Sequence, residues 1–456
     1  MSTSKRIYYN YTWTIIFKIP NRKFNFPIFK LEYFAKNCNY FENFIPYYEM
    51  CVRVEDRYMQ FFKAYDKELI VYIKCVSNYG EDKLHPNKSE IIFEEEFIPF
   101  FDKTKLPTFT TRYRKPSIKD LPTVSYTPEN MASLVTHEVK VALLLKRDID
   151  MRGYIHNYIL GDVDDGDPVT PGTAAAFIIN QNPYIEKFLM DKPDNTIAYP
   201  NMIIKANELK DALMQLQINY GIYGKDLLLF YDTGILYVLN KYSHEHAFRK
   251  KEFKKVHVKL DLRTDESNPT DDTLISDDKE SFLGYERCTV MKVDDKESIL
   301  SEITGDKLVF SNFDSIINSG FADNGQTTFI SPLVDIERPT VGNVNRKTRM
   351  IADYDMLNNP FLMTSNFHAS HLGIPISFVL QRVKAEDFTP NKNVKVGIVQ
   401  KEENKLYSGE YNIAAADFLY MNTKEPGERF KTFCSVSLTL TNNHRTHNKD
   451  YVPIQK

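Results

Sequence analysis

Residues Tyr220 to Lys241 read YGIYGKDLLLFYDTGILYVLNK, two apolar runs that meet at Asp232-Thr233-Gly234. The runs Leu227 to Tyr231 and Ile235 to Asn240 are rich in Tyr, Phe, Leu and Val, residues that are favoured in strands. The connection carries glycine where a three-residue hairpin loop needs a positive φ. The stretch therefore predicts a β-hairpin with a three-residue loop.

A helix is predicted directly before this hairpin. Asn207 can cap its start, and Gly221 or Gly224 can end it. Its apolar residues recur on one face at helical spacing, at Leu209, Ala212, Leu213 and Leu216. The helix and hairpin together hold no nucleophile, metal-ligand set or phosphate loop, so we expect this unit to serve as scaffold.

Length and charge limit the classes of function. The chain has 456 residues, which at roughly 100 to 200 residues per domain predicts two to four domains. Its 58 Lys and Arg residues nearly balance 61 Asp and Glu residues, for a net charge of -3. A chain so close to neutral has no global field that would draw it to nucleic acid or to an anionic membrane.

The cysteines and the N-terminus indicate a reducing compartment. Five cysteines, an odd set without a C-x-x-C pair, lie mostly in apolar strand-like sequence and predict buried thiols: Cys38, Cys51, Cys75, Cys288 and Cys434. The N-terminal sequence has no apolar segment followed by a cleavage site, and no run reaches the roughly 18 apolar residues of a membrane span. We therefore expect a protein that is made and kept in a cytoplasm, without membrane insertion.

Strand-like runs dominate the first segment of the chain. The runs TWTIIFKI, YEMCVRVE, ELIVYIKCVS and SEIIFEEEF each suit a strand, and EDRYMQFFKAYDK has helical spacing of its aromatic residues. A proline-marked stretch, KPSIKDLPTVSYTPEN, follows them. Residues 1–125 are therefore predicted to form a β-rich domain with one short helix.

Three further segments follow. Residues 126–245 carry the stretches ENMASLVTHEVKVALLLKRDI and PYIEKFLMD, which are interpreted as helical, and predict an α/β middle domain. Residues 246–335 form a mixed segment with an acidic excursion that is poor in apolar residues. Residues 336–456 return to strand-like sequence and end in a tail without a burial pattern.

Two H-E pairs begin like the zinc motif H-E-x-x-H. His137-Glu138 and His244-Glu245 are followed at the second histidine position by Val141 and Phe248, so neither places two imidazoles on one helix face. His368 and His371 have the spacing of two ligands, but no neighbouring carboxylate or cysteine completes a set.

An acidic loop invites comparison with calcium sites. It is dense in Asp, Gly and Pro and contains four carboxylates, at Asp162, Asp164, Asp165 and Asp167. With Gly166 at the sixth position of an EF-hand loop, Gly161 would stand where a carboxylate is needed, and no glutamate follows at the twelfth. A solvated surface turn is the favoured interpretation.

No motif for phosphate, dinucleotide or acyl-transfer chemistry occurs in the sequence. The sequence therefore predicts no enzyme, and no catalytic, cofactor-binding or metal site and no cofactor. A cell-wall hydrolase stays open as an alternative, with His368, His371 or the Asp162 to Asp167 loop as its candidate residues.

The order of these segments resembles the central baseplate hub protein of contractile-tailed bacteriophages, over most of the chain. Tyr220-Gly221-Ile222-Tyr223 and the hairpin behind it look like a characteristic unit of that family. Phe388 to Lys392 looks like the segment before the late hairpin of the family, and Ser408 to Ile413 like its G-x-Y strand start. The acidic excursion between Asp261 and Glu280 has no counterpart.

The resemblance implies a fold class that is α+β and mostly β, with two tail-tube-type β-barrel domains joined by an α/β middle domain. Residues 1–125 would hold the first barrel and residues 336–456 the second. It also implies a homotrimeric ring of pseudo-sixfold symmetry, because three chains with two equivalent units each can join a sixfold tube to a threefold spike.

The implied partners are other chains of the virion tail. They are the tail tube protein or a tube-adaptor ring, the central spike protein and the wedge proteins of the baseplate, with DNA only as cargo in transit through the lumen. Two alternatives stay open besides the hydrolase: another tube or baseplate adaptor, which would assemble as a hexamer, and a soluble binding module that remains a monomer.

Overall fold

The fold is dominated by strands in which apolar and polar residues alternate. The computed structural model describes residues 8–80, 88–101, 135–152, 154–161, 168–224, 226–241, 256–260, 281–285, 307–312, 348–353, 376–381, 383–398, 409–422 and 430–441. These residues form twenty strands, four helices and two short 3₁₀ turns.

The strands are, in chain order, β1 Tyr8–Ile19, β2 Phe24–Pro27, β3 Lys30–Asn39, β4 Tyr47–Glu55, β5 Ile70–Gly80, β6 Lys88–Phe100, β7 Thr136–Leu145, β8 His156–Leu160, β9 Lys187–Met190, β10 Met202–Ala206, β11 Leu227–Asp232, β12 Ile235–Asn240, β13 Val256–Leu260, β14 Ser281–Tyr285, β15 Lys307–Asn312, β16 Thr348–Asp353, β17 Ile376–Gln381, β18 Asn393–Ile398, β19 Gly409–Asn422 and β20 Lys431–Thr441. The helices are α1 Asp56–Ala64, α2 Lys146–Arg152, α3 Pro171–Asn180 and α4 Leu209–Asn219.

Eight antiparallel strands close a barrel in the order β19-β3-β4-β7-β6-β5-β1-β20, and β20 returns to β19. The seam between β1 and β20 is short and pairs Tyr11 with Thr432 and Thr12 with Lys431. Next to it, the Trp13 indole Nε1 donates a hydrogen bond to Thr432 Oγ1 at 2.8 Å. Residues more than 400 positions apart in sequence therefore close the barrel.

The barrel interior is filled by side chains. The Trp13 ring lies 4.6 Å from Phe34, 5.0 Å from Tyr420 and 5.7 Å from Phe93 between ring centroids. These residues come from β1, β3, β19 and β6, so they meet across the interior from different walls. Such an aromatic cluster stabilises the barrel, and it leaves a packed core in place of a pore.

The β11–β12 hairpin lies between two hydrophobic cores. Leu228, Phe230, Tyr237 and Leu239 on one face belong to the barrel core. The other face packs into a second core with α3, α4 and β10, through Leu227, Leu229, Tyr231, Leu236 and Val238. Both faces are buried, which explains why the hairpin sequence is apolar at consecutive positions instead of alternating.

The predicted helix before the hairpin and the hairpin itself are confirmed, with two differences. The helix begins after Glu208, whose side chain makes no capping hydrogen bond, and not after Asn207. Asp232 pairs with Ile235, so the loop has two residues instead of three. Thr233 and Gly234 have φ values of 47° and 85°, the left-handed pair that a tight type I′ turn requires.

Two helical interpretations in the middle segment are wrong. Within ENMASLVTHEVKVALLLKRDI, residues Thr136–Leu145 form β7, and the helix begins only at Lys146. The buried residues of β7 alternate at Val139, Val141, Leu143 and Leu145, a period of two that overrides the helical propensity of Leu and Ala. Within PYIEKFLMD, Lys187–Met190 form β9, which pairs in parallel with β12.

The fold class, mostly β with a barrel and an α/β middle part, is confirmed. Within the described residues one barrel closes, and it takes strands from both segments, 1–125 and 336–456, that were predicted to hold one barrel each. β7, from the predicted middle domain, also lies in its wall. The physical reason is that the six barrel strands between residues 8 and 145, five from the first segment together with β7, would leave unpaired edges on β3 and β1, which β19 and β20 close. The four domain limits stay a prediction.

Candidate functional site

The sequence-predicted ligand residues form no shared site in the described part of the chain. His137 lies on β7, where its Nε2 atom is 2.7 Å from Asp56 Oδ1 in a solvent-facing pair. His244, His368, His371 and the Asp162 to Asp167 loop lie outside the described residues. Among the residues that are described, no group of three or more His, Cys, Asp or Glu side chains is placed to hold a metal ion.

The cysteines that are described are free and buried, as the sequence predicts: Cys38, Cys51, Cys75 and Cys434. Burial raises the pKa of the Cys38 thiol to about 12 and has the same effect on Cys51. A thiol that stays protonated is a poor nucleophile, so these side chains serve packing and not catalysis. Cys288 lies outside the described residues.

Charged residues meet where the hairpin turn contacts the mouth of the barrel. We call Lys36, Tyr48, Asp148 and Asp232 the barrel–hairpin joint. The Lys36 ammonium forms an ion pair with Asp232, and the Tyr48 hydroxyl donates to Asp232 Oδ1 at 3.2 Å. Lys36 and Tyr48 are cross-strand neighbours on β3 and β4. The joint therefore attaches the hairpin turn to two barrel strands.

Asp148 is the unusual member of the barrel–hairpin joint. It is 1% exposed, and neither carboxylate oxygen has a hydrogen-bond partner. Burial, with a further contribution from the negative charge of Asp232, raises the pKa of Asp148 to about 7. A carboxyl group in this position is protonated over part of the neutral range, so folding stability depends on it.

Sequence reasoning missed the barrel–hairpin joint. Lys36 shares its strand parity with the buried residues Phe34 and Cys38, and this pattern could have shown that the lysine faces inward. The position of Asp148 carries no such signal, because it follows β7 in the first turn of α2. Its helix packs against the barrel strands β6 and β7, and Asp232 of the hairpin lies near enough to raise its pKa.

A second polar cluster holds the Y-G-I-Y segment before the hairpin. The Gln217 side chain accepts hydrogen bonds from the main-chain nitrogens of Ile222 and Tyr223 at 2.9 and 3.0 Å. Its Nε2 atom donates to the Tyr223 carbonyl at 2.8 Å. One buried amide therefore fixes the chain reversal at Gly221, where φ is 72°.

An open groove of about 650 Å³ runs along the outer barrel wall and α2. Most of the charged side chains that line it form ion pairs. Lys18 lies 3.1 Å from Glu96, and Arg147 lies 3.3 Å from Glu95 on the barrel and 2.8 Å from Glu186 in the middle part. Mutual pairing leaves no strong field for a charged ligand, so this groove is a solvated face.

The main sheet continues beyond the barrel in two directions. On one side β18 pairs with β19, β13 pairs in parallel with β18, and β14 pairs in parallel with β13. On the other side β17 pairs with β20. In the part of the chain that the structure describes, no further strand covers the outer edges of β14 and β17. Unpaired strand edges are suited to pairing with another chain.

No helix among the described residues is long and apolar enough to cross a membrane.

Comparisons with known proteins give structural matches only. No family model matches the chain. No curated protein sequence matches it either. The chain is similar to the 43 kDa tail protein of prophage MuSo2 from Shewanella oneidensis, at 10% identity and a TM-score of 0.43, over 94% of this chain and 96% of that one.

Two further solved structures are similar to the chain. One is a PdpA-VgrG complex, at 9% identity and a TM-score of 0.41, over 97% of this chain but only 66% of that one. The other is the phage P2 baseplate in its activated conformation, at 10% identity and a TM-score of 0.30, over 94% of this chain and 98% of that one. Two of the three are proteins of a phage tail or baseplate.

Proposed function

We propose that the chain is a structural protein of a contractile phage tail and forms the hub of its baseplate. In this role three copies form a ring that joins the hexameric tail tube to the trimeric central spike. The observation that carries the proposal is the closed barrel whose sheet runs on, through β13, β14, β17 and β18, to two outer edges that no other described strand covers. It agrees with the family resemblance of the sequence.

Ring formation follows from the edges. An open edge presents unpaired N–H and C=O groups, and a neighbouring copy can satisfy them by adding a strand. The edges of β14 and β17 lie on different strands, so a contact between them is heterologous and generates a closed ring when the rotation between copies closes. Contacts of this kind need surfaces and strand edges and no catalytic group.

The channel for DNA belongs to the ring and not to the barrel. The barrel interior is occupied by Trp13 and the aromatic residues around it, so DNA passes along the axis between copies. A net charge of -3 gives the chain no general attraction for phosphate groups, and DNA in transit is therefore not retained.

Pseudo-sixfold symmetry requires a second tube-like unit in each chain. One barrel closes within the described residues, so the second unit has to come from the sheet beyond the barrel or from residues outside the described part. The tube protein or a tube-adaptor ring contacts the sixfold face, the spike protein the threefold face, and the wedge proteins the outside. This arrangement places the chain in the tail baseplate of a virion.

The test is assembly with the tube protein of the same phage. The purified chain is mixed with tube protein and imaged in negative stain, with tube protein alone as the control. We expect rings of this chain at one end of each tube and faster tube growth in its presence. Tubes that form at the same rate without end caps would refute the hub role, and caps built as hexamers would support the alternative of an adaptor.

A further inference from the structure

The middle part of the chain contains a two-stranded antiparallel sheet with one closed edge and one open edge. β8 and β10 pair with Ile159 opposite Ile203 and Asn157 opposite Lys205. In an antiparallel pair, the main-chain groups of opposite residues point either towards each other or both outwards. If the N–H and C=O groups of a β10 residue point away from β8, the same groups of its β8 partner therefore point away from β10.

The outer edge of β10 is closed by side chains. The Ile203 N–H donates to the Tyr220 hydroxyl at 3.3 Å, and the Lys205 N–H donates to Gln215 Oε1 at 3.1 Å. Gln215 Nε2 donates in turn to the Lys205 carbonyl at 2.7 Å. The Gln215 amide occupies this edge as a further strand would, so no strand can add here.

No described residue covers the outer edge of β8. Because Ile203 and Lys205 direct their main-chain groups away from β8, their partners Ile159 and Asn157 direct theirs away from β10. Among the described residues, no main-chain or side-chain group bonds to the outward N–H and C=O groups of Asn157 and Ile159.

The same strand presents an apolar surface. Ile159 is 75% exposed, Ile203 opposite it 64%, and Ile155 just before β8 61%. The other face of the sheet is buried against the second core through Met202 and Ile204. The three isoleucines expose on the order of 400 Å² of apolar surface, the size of patch that marks an interaction site.

The area of the isoleucine patch favours an extended strand over a folded protein as the partner. A stable contact between two folded proteins covers about 800 Å² on each side, roughly twice this patch. An extended strand needs less apolar area, because its main chain supplies hydrogen bonds along the edge. Lys205, on the same face, is exposed and has no carboxylate within salt-bridge distance in the described part of the chain, so a negative charge on the partner would pair with it.

We propose that the outer edge of β8 receives an extended segment of another protein whose every second side chain faces this patch, apolar at the outer two of these positions and a carboxylate at the central one. The segment adds a third strand to the β8–β10 sheet. Its apolar side chains cover Ile155 and Ile159, and its carboxylate lies near Lys205. This inference does not depend on the proposed function.

The probe is a short fluorescent peptide in which every second residue faces one side, in the order valine, glutamate, valine, titrated against the full-length protein by fluorescence anisotropy. We expect saturable binding that Ile159→Thr weakens by about fivefold to tenfold, since the variant loses apolar area but keeps a β-branched side chain. The matched control is Ile91→Thr, which alters an isoleucine that is 54% exposed on the barrel. Absence of binding, or equal losses in both variants, would overturn the proposal.

A charge exchange tests the position of the carboxylate. We expect Lys205→Glu to weaken binding of the glutamate peptide about fivefold and to favour a peptide with lysine at the same place. The Lys205 side chain is exposed and the Gln215 bonds involve only its main chain, so the variant keeps the sheet. Equal affinity of both peptides for both proteins would show that the carboxylate does not lie there.

Discussion

The substitution Asp148→Asn removes the one carboxyl group of the barrel–hairpin joint that has no hydrogen-bond partner. Asparagine has nearly the same shape but cannot ionise. Burial raises the pKa of Asp148 from its ordinary value of 3.8 to about 7. The folded protein therefore holds a proton on Asp148 that the unfolded chain releases at lower pH, and folding stability falls as the pH rises through this range.

The size of the effect follows from the pKa. One pKa unit corresponds to about 1.4 kcal/mol, so the ionised Asp148 carboxylate costs the folded protein about 4 kcal/mol at alkaline pH. At about pH 5 most of this cost is absent, because the group is protonated in the folded protein. Relative to the variant, wild type should gain about 3 kcal/mol in the free energy of unfolding between about pH 8 and pH 5.

Urea unfolding at both pH values measures the difference. Trp13 is the single tryptophan and lies in the barrel interior, so its fluorescence follows the barrel directly. We expect the unfolding midpoint of wild type to shift by about 0.5 to 1 M urea more than that of the variant. Asp150→Asn, at an exposed position of the same helix, is the control and should behave as wild type. Equal pH dependence of wild type and Asp148→Asn would refute the reasoning.

Three further substitutions test the contacts that hold the fold. Gln217→Met should lower the free energy of unfolding, measured in urea, by about 2 to 4 kcal/mol, because it leaves the buried main-chain groups of Ile222 and Tyr223 unpaired. A loss no larger than that of a substitution at an exposed position would contradict this. Lys36→Met should cost about 3 to 5 kcal/mol, because it leaves the Asp232 carboxylate with its Tyr48 hydrogen bond but without its positive partner. Adding Asp232→Leu should recover part of that loss in thermal unfolding, whereas an additive loss would not fit. Thr432→Val should cost about 1 to 2 kcal/mol and shift the emission of Trp13, and an unchanged spectrum would argue against the seam bond.

The strands of the barrel could be predicted from the sequence, but their partners could not. Alternation in β1 and β5 reports which residues are buried, and this information is local. The pairing of Tyr11 with Thr432 joins residues whose local patterns say nothing about each other. The prediction of two barrels, one at each end of the chain, therefore placed strands at both ends correctly. It did not predict that strands from both ends pair in one barrel.

The β11–β12 hairpin could be predicted from local sequence, but its surroundings could not. Its strands and turn could be predicted because Thr233-Gly234 and the flanking apolar runs are local signals. Both faces of the hairpin are apolar because each packs into a different hydrophobic core, and only the structure shows this. The charged residues of the joint depend on that packing too, so the burial of Asp148 carries no sequence signal.

That no described residue covers the outer edge of β8 could not be predicted from the sequence either. A strand at Ile155 to Leu160 could be expected from its β-branched and aromatic residues, but exposure is decided by which face the helices α3 and α4 cover. The role of Gln215 as an edge cap is set by distance across the sheet and not by any motif.

The mass of the purified full-length chain in solution, measured by light scattering together with negative-stain images, tests the central claim most directly. A hub ring predicts three times the mass of one chain and particles with a central hole. A monomer at all concentrations, or a hexamer, would contradict the trimeric ring, and a hexamer would point to a tube or baseplate adaptor instead.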